Sequence, residues 1–495
     1  MPQWARRFLR AKSLLQHFWI ALICGLALRV LCAIFVYGPQ ALDDYKHGVW
    51  PAYQFFAGQP MDLPDYRSHL LIWILAAFIR VGSWIGLTSA LAQVRMMYLG
   101  LGLVSTLGLW GTFLFVKSFR SKVFGATALY LVALFPLMPF ISTRAFGEAV
   151  AMSFVMLGFG ILESARRTGN RKLWVWIAGF ASLGVAVLFR FHVGLLFLSY
   201  GLILIYLRCW PGVMGGVIAG FLTLGAEWLV DFLSGKVAFG TLIAYLAANE
   251  GGAAQYGVSP WYNTWLFVIA LTLAPFSFIF WKKLKPLWRQ HWPWLVPLLV
   301  YVLAHSLVPH KEERFLYPIV GIELWALAWV WAASAYMKPA RVMYSRVMIG
   351  LSIPLLLIVC FVNTQEGEIE PPAYSEANFH DVVYLDYKSL FGQSLIRFYF
   401  LRPPSELKEI EADGLTANKI DEVLEGSGHH RAVVLLTSEP GARAELHALE
   451  GIRTVDSQCH NMRTSGSVID RLLYKMNPKH NMRRRPTWYL VCERL

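Results

Sequence analysis

Charge is scarce in this chain of 495 residues: Asp, Glu, Lys and Arg together make up 15% of it, against about 25% in a soluble globular domain. Acidic residues are the scarcer sign, 31 against 45 Lys and Arg, which leaves a formal net charge of +14. That excess is no nucleic-acid footprint, because the basic residues stand in short clusters beside apolar runs, where they orient a membrane protein. Cysteine is rare as well, with six in all. Cys24, Cys32, Cys209 and Cys360 fall in or beside apolar segments and read as inert packing residues. No spacing suggests a metal site. A phosphate-binding P-loop, a dinucleotide fingerprint and a zinc-binding pair are all missing, so nothing points to nucleotide or zinc chemistry.

What the chain has in abundance is apolar length. Hydrophobic residues make up 56% and aromatics 15%, and mean hydropathy is +0.47. Runs at 18–37, 293–309, 315–334 and 344–363 approach or reach the roughly 20 residues a spanning helix needs. This composition predicts a polytopic α-helical membrane protein. The first apolar run is too long for the core of a signal peptide, so an uncleaved first helix is expected. Basic clusters at Arg6/Arg7/Arg10/Lys12, Arg166/Arg167/Arg171/Lys172, Lys282/Lys283/Lys285/Arg289 and Lys338/Arg341/Arg346 mark the cytoplasmic side. The crossing count is then odd, eleven or thirteen. One stretch conflicts with this pattern: two crossings within 68–116 would put Lys117, Arg120 and Lys122 outside.

From about residue 364 the material changes, with more charge, Gly, Pro and His. Short β-like runs at 382–387, 432–438 and 488–495, among helical-looking pieces such as 405–415, predict a small mixed α/β domain outside the membrane. The expected division is 1–363, the transmembrane domain, and 364–495, the extramembrane domain. Cys459 and Cys492 share this second region on the oxidising side. They could form a bridge or remain two buried thiols.

The most informative stretch is His310-Lys311-Glu312-Glu313-Arg314-Phe315-Leu316-Tyr317-Pro318, a polar knot between two apolar segments and expected in the first turn of a helix. Ionisable groups near a membrane helix end tend to mark substrate pathways. The sidedness argument brings other polar groups to the same outer surface: Asp43, Asp44, Arg67, Arg144, Glu148, Arg190, His192, Asp231, Tyr256 and Trp261. Such a set suits glycosyl transfer from a lipid phosphate. One carboxylate takes the acceptor's proton, and Arg, Lys or His meets the charge on the departing phosphate.

The 310–318 run resembles the H-K-E-[DE]-R-F-[LI]-[YF]-P signature of glycosyltransferase family 22, the lipid-phosphate-mannose-dependent mannosyltransferases of the GT-C superfamily. Ala41-Leu42-Asp43-Asp44 occupies the place of that family's H-P-D-E, and Arg67-Ser68 that of the R-S closing the same loop. Arg144 and Glu148 fit the Arg and Glu of R-x-x-S-N-x-x-E, and Asp231 followed by Tyr256–Tyr262 is similar to D…Y-G-x-x-P-W-x-x-Y. The missing His, Pro and Ser-Asn mark a divergent member.

The resemblance implies a GT-C fold and an inverting transfer of mannose from a polyprenyl- or dolichyl-phosphate carrier. It implies Asp43 and Asp44 as catalytic residues, with Asp43 the favoured base. His310, Lys311, Arg314, Arg144 and Arg190 would hold the donor phosphate. Arg67, Glu148, His192, Asp231, Tyr256, Trp261, Glu312 and Glu313 would contact other parts of the substrates. No cofactor or metal is implied, and the partners would be the lipid-linked sugar, a lipid-linked glycan or glycolipid acceptor and membrane lipids, with no nucleic acid. The location would be a bacterial inner membrane or the endoplasmic reticulum, with the site on the periplasmic or luminal face. A GT-C enzyme for another lipid-linked sugar and a lipid-linked glycan transporter are the alternatives.

Overall fold

The computed structural model describes residues 12–38, 42–252, 257–271, 278, 282–334, 338–363, 366–378, 382–387, 406–410, 416–426, 432–437, 440–454, 457–460, 462–478 and 484–495. The chain forms two compact units. One comprises Met1–Ala33, Leu63–Ile74 and Tyr98–Cys360; the other comprises Ile34–Asp62, Leu75–Met97 and Phe361–Leu495. This differs from a single cut at residue 363, because the acidic segment after the first helix belongs with the C-terminal region.

In chain order the helices are α1 (Leu14–Phe35), α2 (Trp50–Phe56), α3 (His69–Trp84), α4 (Ala90–Val104), α5 (Thr106–Lys117), α6 (Lys122–Leu134) and α7 (Leu137–Ile141). There follow α8 (Gly147–Thr168), α9 (Leu173–Phe189), α10 (Gly194–Tyr206), α11 (Trp210–Leu233) and α12 (Gly240–Gly252). The last of the first unit are α13 (Asn263–Leu271), α14 (Leu284–Leu307), α15 (Tyr317–Ala333) and α16 (Lys338–Phe361). Among the described residues six stretches are long and apolar enough to cross a membrane: Leu14–Phe35, Ala90–Lys117, Gly147–Thr168, Trp210–Leu233, Glu313–Ala333 and Arg341–Phe361. Shorter apolar helices, α3, α6 and α9 among them, fill in between.

Close packing in this unit depends on missing side chains. A Cβ on Gly111 of α5 would lie 2.3 Å from Met156 O, and one on Gly160 of α8 would lie 2.1 Å from Gly111 O. Small residues let membrane helices approach backbone to backbone, where dispersion replaces the hydrophobic drive that lipid cannot supply. Above that contact Trp325 of α15 donates its Nε1–H to Thr112 Oγ1 at 3.0 Å and stacks on Phe115 with ring centroids 4.2 Å apart.

The conflict over Lys117, Arg120 and Lys122 is resolved by a cation–π contact. The Arg167 guanidinium sits 3.7 Å from the centroid of Phe119, and Phe119 lies 5.4 Å from the His291 ring near the start of α14. The 117–122 turn is therefore at the same end of the bundle as the basic residues after α8. Ala90–Lys117 is long and apolar enough for one crossing, whereas α3, at 16 residues, is a shorter apolar helix.

The second unit contains a six-stranded sheet. Its strands are β1 (Val382–Tyr387), β2 (Glu406–Ile410), β3 (Ala432–Thr437), β4 (Ser457–Cys459), β5 (Arg463–Ser465) and β6 (Thr487–Arg494). The order is β2-β1-β3-β6-β4, with β5 also on β6. β1 runs parallel to β2 and β3, while β6 is antiparallel to β3. Alternation along each strand feeds two cores. Val383, Leu385, Val433, Leu435 and Leu490 meet Ile420, Leu424 and Leu446, whereas Tyr384, Val434, Leu436 and Tyr489 face Tyr374. The helix expected over 405–415 is instead the edge strand β2 at Glu406–Ile410. Pairing to β1 overrides the helical propensity of its Glu, Leu and Lys.

Cys459 and Cys492 are directly opposed in the β4–β6 register and joined as a disulfide between positions 33 apart. Cys459→Ser should destabilise this domain by about 3–4 kcal/mol in the chain-entropy account. Chemical denaturation of the oxidised protein checks this, with mass spectrometry of unreduced, alkylated protein showing one bridge and no free thiol at either position.

Candidate functional site

The 310–318 run does not form the first turn of a helix. Residues 308–312 are non-helical, Glu313–Leu316 is a single 3-10 turn, and α15 starts at Tyr317 with Pro318 just inside it. Proline preorganises such a start, since the first N–H groups have no partner within the helix. The polar groups converge through Glu312. His310 Nε2 lies 2.8 Å from Glu312 Oε1, and Arg314 Nε pairs with Glu312 Oε2. Lys311 is a strut: its Nζ donates to Ser259 O at 2.9 Å and Val308 O at 2.6 Å. Ser259 N–H bonds Pro309 O at 3.0 Å, and His310 Nδ1 is 3.3 Å from Gly257 O. The 257–262 segment and the 310–318 run, two separate sequence signals, are thus one surface.

Arg314 also turns toward a deeper cluster. Glu148, in the first turn of α8, is fully buried and pairs with Arg190 NH2 at 2.6 Å. Arg314 and Arg67 act electrostatically on the same carboxylate. Arg190 ends α9, where the chain takes an extended residue and then a 3-10 turn, Phe191–Val193. That turn places His192 with its ring 5.0 Å from His305 and 5.8 Å from Tyr301, both on α14. Tyr301 donates its hydroxyl to Phe315 O at 2.7 Å, which fixes the 3-10 turn that carries Arg314. Three guanidinium groups (Arg67, Arg190, Arg314) thus face two carboxylates (Glu148, Glu312), a net charge of +1. Beside them lies a cleft of about 320 Å³ lined by Leu266, Phe267 and Ala270 of α13 and by His305, Lys311, Glu312 and Glu313.

Two of the expected site residues, Arg144 and Asp231, are buried in contacts within the first unit. Arg144 has no exposed surface; its guanidinium lies 4.4 Å from the Tyr98 ring centroid and 4.5 Å from that of Phe140. Asp231 is buried, accepting Thr241 Oγ1–H at 2.5 Å and Thr241 N–H at 3.2 Å. It secures the start of α12 instead of facing outward. Lys236 in the same turn donates to Asp65 O at 2.7 Å, and burial lowers its ammonium below the ordinary lysine range. Trp261 is 65% exposed, and Tyr256 lies outside the described residues.

Ionisable groups are not confined to one end of the bundle, as the sequence suggested. Glu163 is buried near the other end of α8, bound bidentately by Arg166 at 2.9 and 2.8 Å and by Tyr200 Oη at 2.7 Å. Tyr301 and His305 were missed in the sequence. Their signal was present, a polar pair at i and i+4 within an apolar helix, facing one way.

Asp43 and Asp44 belong to the second unit. The segment is helical, Leu42–Asp44 followed by a π-turn at Tyr45–Val49. Asp44 is fully buried, while Asp43 is partly exposed and pairs with His47 at 3.7 Å, one turn on. Among the described residues no three His, Cys, Asp or Glu side chains gather as a metal site.

Residues 19–384 match the Alg9-like mannosyltransferase family. The chain is 32% identical over 120 residues to the alpha-1,2-mannosyltransferase ALG9 of Saccharomyces cerevisiae, covering 23% of this chain and 20% of that protein. It is 30% identical over 92 residues to ALG9 of Mus musculus, covering 16% and 15%. These matches span a fifth or less of the relatives' length. Among solved structures, ArnT from Cupriavidus metallidurans bound to undecaprenyl phosphate superposes with a TM-score of 0.55 at 13% identity, covering 96% of this chain and 97% of that one. That likeness shows a shared GT-C fold, and the protein is a multi-pass integral membrane protein.

A Cβ on Gly147 would lie 2.8 Å from Phe189 O and 3.2 Å from Arg190 Nε. Gly147→Ala should therefore push Arg190 off Glu148 and destabilise the protein by about 1–3 kcal/mol, the usual range for overpacking. Thermal unfolding in detergent measures the loss.

Proposed function

We propose that this chain, which belongs to the Alg9-like mannosyltransferase family, transfers mannose from a polyprenyl or dolichyl phosphate to a hydroxyl of a lipid-linked glycan or glycolipid. The transfer inverts the anomeric centre and forms an α-mannosidic bond. The observation that carries this reading is the cluster of Arg67, Arg190 and Arg314 around the buried Glu148, next to an apolar-walled cleft with a charged rim. Two carboxylates orient the three guanidiniums and leave a net positive charge, so a phosphate beside them gains charge-assisted bonds in a poorly solvated site. The α13 wall suits an isoprenoid chain. ArnT, which shares the fold, was solved with undecaprenyl phosphate bound.

In the reaction the acceptor oxygen bonds the anomeric carbon as the bond from that carbon to the phosphate oxygen breaks. The electron pair leaves with the phosphate, where fixed guanidiniums stabilise it. The acceptor's proton passes to a carboxylate. Asp43 is the better base of the pair because it keeps exposed surface, whereas Asp44 is enclosed. The His47 imidazole beside Asp43 orients it. Read as cytoplasmic, the basic clusters put the arginine cluster on the periplasmic or luminal side.

Purified protein given radiolabelled polyprenyl-phosphate mannose and a panel of lipid acceptors should yield labelled glycolipid. Asp43→Asn should reduce turnover by about 10²–10⁴-fold with the fold intact; full activity there together with loss in Asp44→Asn would exchange their roles. Arg314→Lys removes the planar bidentate fork and should weaken donor use. Unchanged transfer by Arg314→Ala would contradict the phosphate assignment.

A further inference from the structure

The acidic segment is tied to the C-terminal domain through one buried side chain. Asn363 follows α16, the last membrane helix, and is 7% exposed. Its Oδ1 accepts two backbone N–H groups, Tyr37 at 2.8 Å and Gly38 at 3.0 Å. These are the residues at which the chain leaves α1. Tyr45, immediately after Asp44 and fully buried, returns its hydroxyl to Tyr37 O at 3.0 Å. Asp43 and Asp44 are therefore held between two fixed points, one set by Asn363 and the other by Tyr45. Arg95 braces the same exit by donating to Ile34 O at 2.8 Å.

Asn363 is itself held from the domain side. Its Nδ2 lies 3.4 Å from Glu366 Oε1, and the Glu366 N–H donates to Asp470 Oδ2 at 3.1 Å. Asp470 is 1% exposed and is fixed by Ser467 Oγ at 3.0 Å and Arg484 NH1 at 2.7 Å. The path from the helix at Val468–Met476 to the acidic segment is thus continuous: Asp470, Glu366, Asn363, Tyr37–Gly38, Tyr45. Every link lies within one compact unit. Backbone N–H groups drawn away from water, as at Tyr37 and Gly38 just past α1, need acceptors, but a water or a local turn would serve for that alone. Supplying them from the entry to the α/β domain makes the position of the acidic pair depend on that domain.

We infer that Asn363 is a positioning residue for the acidic pair, through which the C-terminal domain sets the geometry of the proton-accepting carboxylate. This rests on the reading of Asp43 as the base. Asn363 touches neither substrate, so its loss should lower kcat and spare donor binding. A misplaced base loses rate steeply, since small displacements from attack geometry are costly.

The test compares wild type, Asn363→Ala and the double variant Asn363→Asp/Glu366→Gln in the full-length protein. In the double variant the carboxylate keeps both backbone N–H partners, and the new Gln amide donates back to it. Asn363→Ala should lower kcat by about 10-fold or more with the KM for the lipid donor within about 2-fold. Backbone hydrogen exchange should accelerate in peptides covering 37–49 and stay unchanged in α8. The double variant should recover most of the rate and the protection. Wild-type kcat in Asn363→Ala, equal losses in kcat and folded fraction, or a double variant no better than Ala would each overturn the inference. Asp43→Asn, assayed alongside, separates the two claims. If it stays active the base assignment falls, whereas faster exchange at 37–49 without a rate loss shows that the tether exists but positions nothing catalytic.

Discussion

One end of the helix bundle is organised by a single buried carboxylate. Glu148 has no exposed surface, and Arg190, Arg314 and Arg67 all act on it. A charge taken out of water this completely is tolerable only with partners in good geometry. That requirement reaches outward through the structure. Gly147 must lack a side chain for α8 to meet the end of α9. The break after α9 must point Arg190 inward, and Tyr301 must hold the 3-10 turn from which Arg314 extends. Three cations act on that one anion and Arg314 pairs with Glu312 as well, so three guanidinium groups meet two carboxylates at this end of the bundle.

Much of this was legible from residues alone. The nine residues from His310 to Pro318 carry enough specificity to point to a family, and the family match over 19–384 agrees with it. The polytopic character follows from apolar length and scarce charge. The three main strands of the C-terminal domain read correctly because they are short runs rich in β-branched, aromatic and other apolar residues, whereas β2 did not, since Glu-Leu-Lys-Glu-Ile suits a helix until a neighbouring strand supplies its hydrogen bonds. The roles of individual polar residues were harder to see. Arg144 and Asp231 were expected at the substrates; the Arg144 guanidinium lies against the Tyr98 and Phe140 rings, and Asp231 accepts two hydrogen bonds from Thr241. A sequence shows that a residue is ionisable and near a helix end. It does not show which way the side chain turns, and at a crowded helix end that direction separates a scaffold from a ligand site.

The α/β domain is more than an appendage to the membrane helices. Its sheet is buried on both faces, which suits parallel strands, and a disulfide ties its terminal strand to β4. The segment carrying Asp43 and Asp44 packs within the same unit.

The central claim is that the Glu148 arginine cluster is the donor-phosphate site. Cryo-electron microscopy of the protein in nanodiscs with polyprenyl phosphate tests it most directly. The account predicts phosphate density within hydrogen-bonding reach of at least two of Arg67, Arg190 and Arg314, with the isoprenoid chain along α13. Phosphate density elsewhere, with the arginine cluster unchanged and empty of ligand, would contradict it.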